Sequence, residues 1–158
     1  MDMKSNRQTA VFFRYNERRP PIADKQLLKQ QIKIQFAPSG KKLESLCFIF
    51  CSDSYLLEIN KQFLKHDYYT DIITFNLSGD PDTIQAEVYI SVDRVRENAR
   101  QHNVPFKHEL LRVIFHGVLH LLGYRDKSKS EMAQMRNLET GLIGEFLKAQ
   151  KKVKKNAS

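Results

Sequence analysis

The sequence predicts a single domain that combines α-helices with about four β-strands. Its 158 residues are enough for one substantial core but too few for two comfortable domains. Short runs of β-branched and aromatic residues alternate with longer amphipathic stretches, and no internal repeat or linker separates them. We therefore expect one compact unit over residues 1–147, followed by a basic, disordered tail over residues 148–158.

The N-terminal part of the chain predicts a strand, a helix and a second strand. TAVFFRYNE alternates as a strand does, and ADKQLLKQQIKIQF places Leu27, Leu28 and Ile32 on one side of a helix. After a Pro-Ser-Gly turn, the short apolar run LESLCFIF predicts a central strand. Cys47 and Cys51 are too far apart along such a strand for a disulfide, so we expect reduced core thiols.

The middle of the chain predicts a helix, a β-hairpin and two further helices. Asp53 is the predicted N-cap of a helix through SYLLEINKQFL. HDYYTDIITFNL leads into a third strand, and QAEVYISV returns after the LSGDPDT loop as its antiparallel neighbour. A helix follows from about Asp93 to His102, and Pro105 begins the helix FKHELLRVIFHGVLHLL at its first turn.

Capping signals separate the last two helices. Gly123 fits the C-terminal cap of the preceding helix, because a left-handed residue lets the chain turn back sharply. Ser128 and Glu131 form a capping box for the last helix, EMAQMRNLETGLIGEFLKAQ.

The net charge favours a nucleic-acid partner, and the hydropathy of the chain predicts no membrane segment. The 26 Lys and Arg residues exceed the 18 Asp and Glu residues, which leaves a formal net charge of +8 and favours a polyanion such as RNA. The N-terminal MDMKSNRQTA has no apolar leader core, and no apolar run approaches the ~20 residues that span a bilayer. We expect a soluble, cytoplasmic protein.

The segment HGVLHLLGYRD, residues 116–126, predicts a metal site. His116 and His120 lie one helical turn apart on the same face. The turn at Gly123 can bring Asp126 to the same point, as a third ligand. Two imidazoles and one carboxylate leave a fourth position open for water, as in catalytic zinc sites.

A zincin-type peptidase is the weaker interpretation of this segment. The signature HExxHxxGxxH also places two helical histidines before a glycine and a third ligand. Its general-base glutamate is replaced here by Gly117, and such base catalysis is typically worth about 100- to 10,000-fold.

Taken together, these segments resemble the YbeY family of endoribonucleases from about Leu46 to Leu142. HGVLHLLGY is similar to the family pattern HGxLHLxGYDH, YTDIITFN to PTDVLSFP, and AEVYIS to a GDLVIS-like strand. SEMAQMRNLET resembles the acidic helix that follows the site in the family.

The resemblance implies an α+β domain with a small mixed sheet, helices packed around it, and a metal at the mouth of a basic cleft. It also implies a metal-dependent single-strand endoribonuclease of ribosomal RNA maturation, acting at the 16S 3′ end and in ribosome quality control. The implied partners are precursor rRNA and ribosomal proteins, and we expect a monomer.

Two positions depart from the family pattern. Asp126 occupies the place of the third histidine, with Arg125 in the place of the family's aspartate. We expect one Zn²⁺, with Mn²⁺ or Ni²⁺ as alternatives, since a carboxylate makes a harder metal more competitive. Leu64 replaces the arginine that the family associates with RNA cleavage, and Lys65 and His66 adjoin it as substitute cations.

Other polar residues near these motifs have two interpretations each. Arg112, on the histidine face of its helix, either orients a phosphate as a catalytic residue or pairs with Glu109 or another neighbour. Asp71 either makes a turn contact or bonds a metal-bound histidine. His102 and His108 are predicted surface residues.

Two other functions stay open at this point. In the first, the chain is a ribosome-associated binding factor with a structural metal, which the loss of the family arginine at Leu64 favours. In the second, it is a metalloprotease, which Gly117 disfavours.

Overall fold

The computed structural model describes residues 10–157, so Thr9, the predicted start of the first strand, and Ser158 lie outside the described residues. Residues 10–157 form four strands and five α-helices: β1 Val11–Tyr15, α1 Lys25–Phe36, β2 Lys42–Cys51, α2 Asp53–Leu64, β3 Ile72–Asn76, β4 Thr83–Ser91, α3 Val92–Gln101, α4 Phe106–Leu121 and α5 Lys129–Ala157. The predicted α+β class is confirmed.

The strands form one mixed sheet in the order β1-β2-β4-β3. β1, β2 and β4 run parallel, whereas β3 runs antiparallel to β4. The predicted antiparallel return across the LSGDPDT loop is therefore confirmed, and Thr74 lies opposite Val88. β1 and β3 form the two opposite edges of the sheet.

The main core lies on one face of the sheet. Phe48 of β2 and Val88 of β4 pack there with Ile32 of α1, Ile114 of α4 and Phe146 of α5. Burying such side chains contributes about 1.5–3 kcal/mol each. A second, smaller core lies on the opposite face against α2 and consists of Cys51, Leu56, Ile59 and Ile73.

Helix α4 approaches the sheet closely at Gly117. A Cβ atom at that position would lie 3.0 Å from Ile72 Cδ1 and 3.2 Å from Val88 Cγ1, so a larger side chain would force the core to shift. Most of α4 is buried, but Arg112, His116 and His120 are only half-buried along one stripe. The close contact at Gly117 therefore holds that stripe at a defined distance from the sheet.

Two of the predicted helix starts differ from the structure. Ser52 caps α2, because its side chain accepts a hydrogen bond from the Tyr55 backbone N–H at 3.2 Å. Asp53, the predicted cap, lies in the first turn instead and pairs with Arg94 at 2.8 Å. Pro105 is the N-cap of α4 rather than part of its first turn.

Residues 148–157 of the predicted disordered tail are helical. Helix α5 continues past residue 148 to Ala157. Gln150 is buried, accepts a hydrogen bond from Lys107 at 2.9 Å and donates one to Asp24 at 2.8 Å. These contacts attach α5 to the rest of the domain beyond the predicted boundary.

Other local predictions are confirmed. Ser128 and Glu131 form the reciprocal capping box, with bonds of 2.9 and 3.1 Å. Cys47 and Cys51 are both free thiols. Along residues 10–157, none of the helices is long and apolar enough to cross a membrane.

Candidate metal centre

Two histidines of α4 and an aspartate of the following loop converge next to β3. The Nε2 atoms of His116 and His120 are 2.9 Å apart, and each is 3.3 Å from Asp126 Oδ2. A tetrahedral zinc ion with bonds of about 2.0–2.2 Å separates its ligand atoms by about 3.3–3.6 Å. The triangle therefore has nearly the size that a small divalent cation requires.

The second nitrogen of each imidazole is already engaged. His116 Nδ1 donates to Glu139 Oε2 at 2.7 Å, and His120 Nδ1 donates to the Tyr124 carbonyl at 3.0 Å. Because an ionised carboxylate and a carbonyl can only accept, each Nδ1 carries a hydrogen and each Nε2 is left with a lone pair. Two facing lone pairs require a proton or a cation between them, so the chemistry of the donor set fits a metal ion.

The turn that follows α4 places Asp126 next to the two histidines. Gly123 has a φ of +99°, which L side chains rarely adopt. The Gly123 N–H donates to the His120 carbonyl at 3.0 Å, and the Tyr124 N–H donates to the Leu119 carbonyl at 3.0 Å. This closed turn places Asp126 beside both histidines, as the sequence predicts.

Glu139 of α5 is a site residue that the sequence reasoning did not single out. Its Oε1 accepts from Arg112 Nη1 at 3.0 Å, while its Oε2 accepts from His116. Its side chain is only 6% exposed, so the two partners compensate for the burial of its charge. The available signal was the likeness of SEMAQMRNLET to a family helix, but that likeness does not reveal which residue faces the histidines.

Buried carboxyl groups shape the electrostatics of the site. Burial alone lowers the pKa of His116, but the hydrogen bond and charge of Glu139, with the charges of Asp126 and Asp71, outweigh it and raise the pKa above its usual value. Burial raises the pKa of Asp71 and that of Glu109, against the opposing charges of His116 and His102 respectively.

Asp71 and Arg112 take particular partners among their predicted alternatives. The Asp71 carbonyl accepts the Ser91 N–H at 2.9 Å, which extends the pairing of β3 with β4 by one residue. Asn98 donates to the Asp71 carboxylate at 3.5 Å, and the Nδ1 atoms of His116 and His120 bond to Glu139 and Tyr124 instead. Arg112 pairs across helices with Glu139 rather than with Glu109. Its catalytic role stays a prediction.

The other predicted positions lie around the site. His102 and His108 are exposed, and His102 lies 4.0 Å from Glu109. Leu64 lines a cavity with the three converging residues, so the position of the family's arginine faces the site here without a positive charge. Lys65 and His66 are exposed beyond the end of α2.

One cavity is lined by all three converging residues and a second by His116 and Asp126, and neither is the basic cleft that the family resemblance implies. The larger, about 450 Å³, has two arginines, Arg112 and Arg136, against four carboxyl groups in its wall. The smaller, about 350 Å³, has no lysine or arginine among its described lining residues. Its wall combines Asn60, Leu64, Tyr68, Thr70, Asp71, Ile72, Ile73 and Thr74 with His116, His120 and Asp126.

Comparison with known proteins gives a consistent result. The family model described as Endoribonuclease YbeY matches residues 14–147. A Porphyromonas gingivalis protein named Endoribonuclease YbeY is 51% identical over 63% of this chain and 66% of its own length. A Bacteroides thetaiotaomicron protein of the same name is 42% identical over 82% of this chain and 94% of its own length.

A solved structure supports the fold. The solution structure of a Thermotoga maritima protein is similar to this one with a TM-score of 0.55 and 27% identity, over 88% of this chain and 93% of that one. The alignment with the Porphyromonas gingivalis relative spans just under two thirds of that relative's length, 66%.

Proposed function

The chain belongs to the YbeY endoribonuclease family, and we propose that it is itself a metal-dependent endoribonuclease that cleaves single-stranded RNA in ribosomal RNA precursors. The observation that carries the proposal is the convergence of His116, His120 and Asp126, whose donor atoms all lie within 4.8 Å of one another. We infer 16S 3′-end maturation and ribosome quality control as its process. Precursor rRNA and ribosomal proteins are its partners in the cytoplasm, and we expect a monomer.

In this proposal, His116, His120 and Asp126 hold one ion and leave one coordination position for solvent. A bound divalent ion supplies a polarised phosphoryl oxygen and a water that loses its proton near neutral pH. Glu139 keeps the His116 ring turned so that Nε2 faces the ion, and the Tyr124 carbonyl does the same for His120. Arg112 holds Glu139 and borders the larger cavity, where its guanidinium can contact an RNA phosphate.

The ion is proposed to be Zn²⁺, with Mn²⁺ and Ni²⁺ as alternatives. A carboxylate ligand favours hard metals more than a third imidazole does. We expect Asp126→His to move the preference toward Zn²⁺ over Mn²⁺, as measured by metal competition on the purified chain. Equal selectivity in both proteins would argue against ligation by Asp126.

Cleavage of a structured fragment of precursor rRNA tests the proposed activity. We expect the wild type to cleave it, and both a chelator and Asp126→Ala to abolish cleavage. Asp82→Ala, which removes an exposed aspartate in the β3–β4 loop, is the matched control and should cleave normally. Undiminished cleavage with chelator and in Asp126→Ala would exclude metal catalysis at this centre.

The two alternatives receive less support. The relatives are named endoribonucleases, which does not favour a binding factor with a structural metal. If the ion were structural, chelation would unfold the domain, whereas a catalytic ion leaves it folded but inactive. A peptidase needs a base after the first histidine, but that residue is the buried Gly117, where a Cβ atom would already lie 3.0 Å from Ile72 Cδ1.

A further inference from the structure

An exposed group of aromatic residues surrounds the end of α2. Phe63, Tyr68 and Tyr69 are 60%, 56% and 53% exposed, and we refer to these three residues as the aromatic patch. Tyr68 and Tyr69 are adjacent in the chain, and Phe63 lies in the last turn of α2. These exposed rings offer flat, amphipathic surfaces that a ligand can cover.

One residue of the aromatic patch, Tyr68, borders the candidate metal centre. Tyr68 lines the same cavity of about 350 Å³ as His116, His120 and Asp126. Phe63 packs edge-on against Phe75, which packs against the smaller core beneath α2. A ligand at the metal centre can thus extend directly onto the Tyr68 ring.

The loop between α2 and β3, which carries Tyr68 and Tyr69, is held in place by contacts with neighbouring side chains. The buried Asn60 side chain donates to the Tyr68 carbonyl at 2.8 Å. The Tyr68 ring stacks on His66, with centroids 5.1 Å apart, and its hydroxyl is hydrogen-bonded to His66 Nδ1 at 3.0 Å. The Arg94 guanidinium lies 5.1 Å from the centre of the Tyr69 ring. The rings are therefore ordered before any ligand binds, which lowers the entropic cost of stacking.

The charges in the two cavities beside the candidate metal centre indicate which part of an RNA strand binds there. The larger cavity has four carboxyl groups, those of Asp71, Glu109, Asp126 and Glu139, against two arginines, so its wall suits a single phosphate at Arg112 better than a run of phosphates. The smaller cavity has no lysine or arginine among its described lining residues, and Leu64 lies there in place of a cation. In the smaller cavity we therefore expect bases to contribute more to the affinity than phosphates do.

We propose that Tyr68 is a base-stacking subsite that binds an unpaired base of the RNA strand whose phosphate lies at the metal centre. The inference rests on the proposed function and specifies its substrate: a strand with at least one unstacked base next to the scissile phosphate. Each base–aromatic stack of this kind changes affinity by roughly 5- to 150-fold.

Fluorescence provides a direct test, because the chain contains no tryptophan. Tyr68→Trp keeps a stacking ring and introduces a single reporter. We expect a single-stranded oligoribonucleotide to quench this fluorescence, and an abasic strand of equal length to leave it unchanged. Phe12→Trp places the reporter on β1, at the opposite edge of the sheet, and should not respond to either strand. Equal responses of Tyr68→Trp to both strands would overturn the proposal.

Binding by fluorescence anisotropy, with chelator present to prevent cleavage, measures the contribution of each ring. Tyr68→Ala should weaken binding of the normal strand roughly 5- to 150-fold, whereas Tyr68→Phe and Phe12→Ala should bind like the wild type. The abasic strand should bind weakly to all four proteins. Unchanged affinity of Tyr68→Ala would contradict stacking and leave a protein partner as the occupant of the patch.

The two proposals fail in different ways. If the wild type cleaves no RNA but Tyr68→Ala still loses affinity for bases, the stacking subsite stands and the proposed activity does not. If cleavage proceeds with the same KM and kcat in Tyr68→Ala, the activity stands and the subsite does not. Stacking predicts a higher KM with little change in kcat for RNA cleavage.

Discussion

His116 and His120 lie one turn apart on the same helix, yet the protein supports them in different ways. His116 is held by a side chain from another helix, Glu139, which is itself paired with Arg112. His120 is held by the backbone carbonyl of Tyr124, only four residues further along the chain. One support depends on the packing of α5 against α4, and the other depends on a local turn.

Because the two histidines are supported differently, substitutions near each of them should have different effects on the metal centre. The support of His116 carries charge and is buried, so it controls both ring orientation and proton affinity. The support of His120 is neutral and shares its turn with Asp126, so backbone changes there affect two of the three converging residues together. Substitutions can therefore separate the electrostatic support from the conformational one.

Removal of either histidine should have the largest effect. We expect His116→Ala and His120→Ala each to reduce bound metal from about one ion per chain to almost none, because two remaining ligands hold a divalent ion weakly. Metal analysis of the purified proteins measures this effect. His108→Ala, which removes an exposed histidine of the same helix, is the control. Full metal occupancy in either site variant would show that the ion binds elsewhere.

Glu139→Gln tests the buried support of His116. We expect a loss of about 10- to 100-fold in metal affinity, the usual effect of removing an outer partner of a histidine ligand. The measurement is titration with a competing chelator. Glu145→Gln alters an exposed glutamate of α5 and should bind metal like the wild type. Equal affinities for the two variants would mean that Glu139 serves only the Arg112 ion pair.

Gly123→Ala tests the local support of His120 and Asp126. The positive φ at this position should cost about 1–2 kcal/mol of folding stability with any L side chain. We expect a lower Tm together with weaker metal binding, since Tyr124 and Asp126 both follow the turn. Gly141→Ala, on α5 with open space around its Cβ position, should instead be neutral or stabilising. A Tm decrease with unchanged metal affinity would separate the turn from the centre.

The smallest expected effect is the change in stability of the metal-free protein as His116 loses its proton. Because the pKa of His116 is raised above 6.5, its contribution to stability is fully present below pH 6.5 and is lost as the pH rises through the raised value. Histidine NMR signals, recorded with chelator against pH, measure this pKa. Glu139→Gln should lower it. An unchanged pKa in that variant would remove Glu139 as the cause.

Local signals in the sequence predicted much of the fold and part of the centre. The spacing of His116 and His120, the reversal at Gly123 and the capping box at Ser128 each depend on a few consecutive residues, and the structure contains all of them. The helical part of residues 148–157 was not predicted, because its attachment through Gln150 involves residues far away in the sequence. The N-cap at Ser52 was missed because Asp53 is an equally good cap by type.

The sequence by itself determined that a helix and the turn after it bring two imidazoles and a carboxylate together, because all three lie within eleven consecutive residues. Only the tertiary structure decided which side chain supports His116 and which charges and rings surround the centre. Those neighbours come from α4, α5 and the connection between α2 and β3, and their approach depends on how the whole core packs. A local pattern contains no information about that packing.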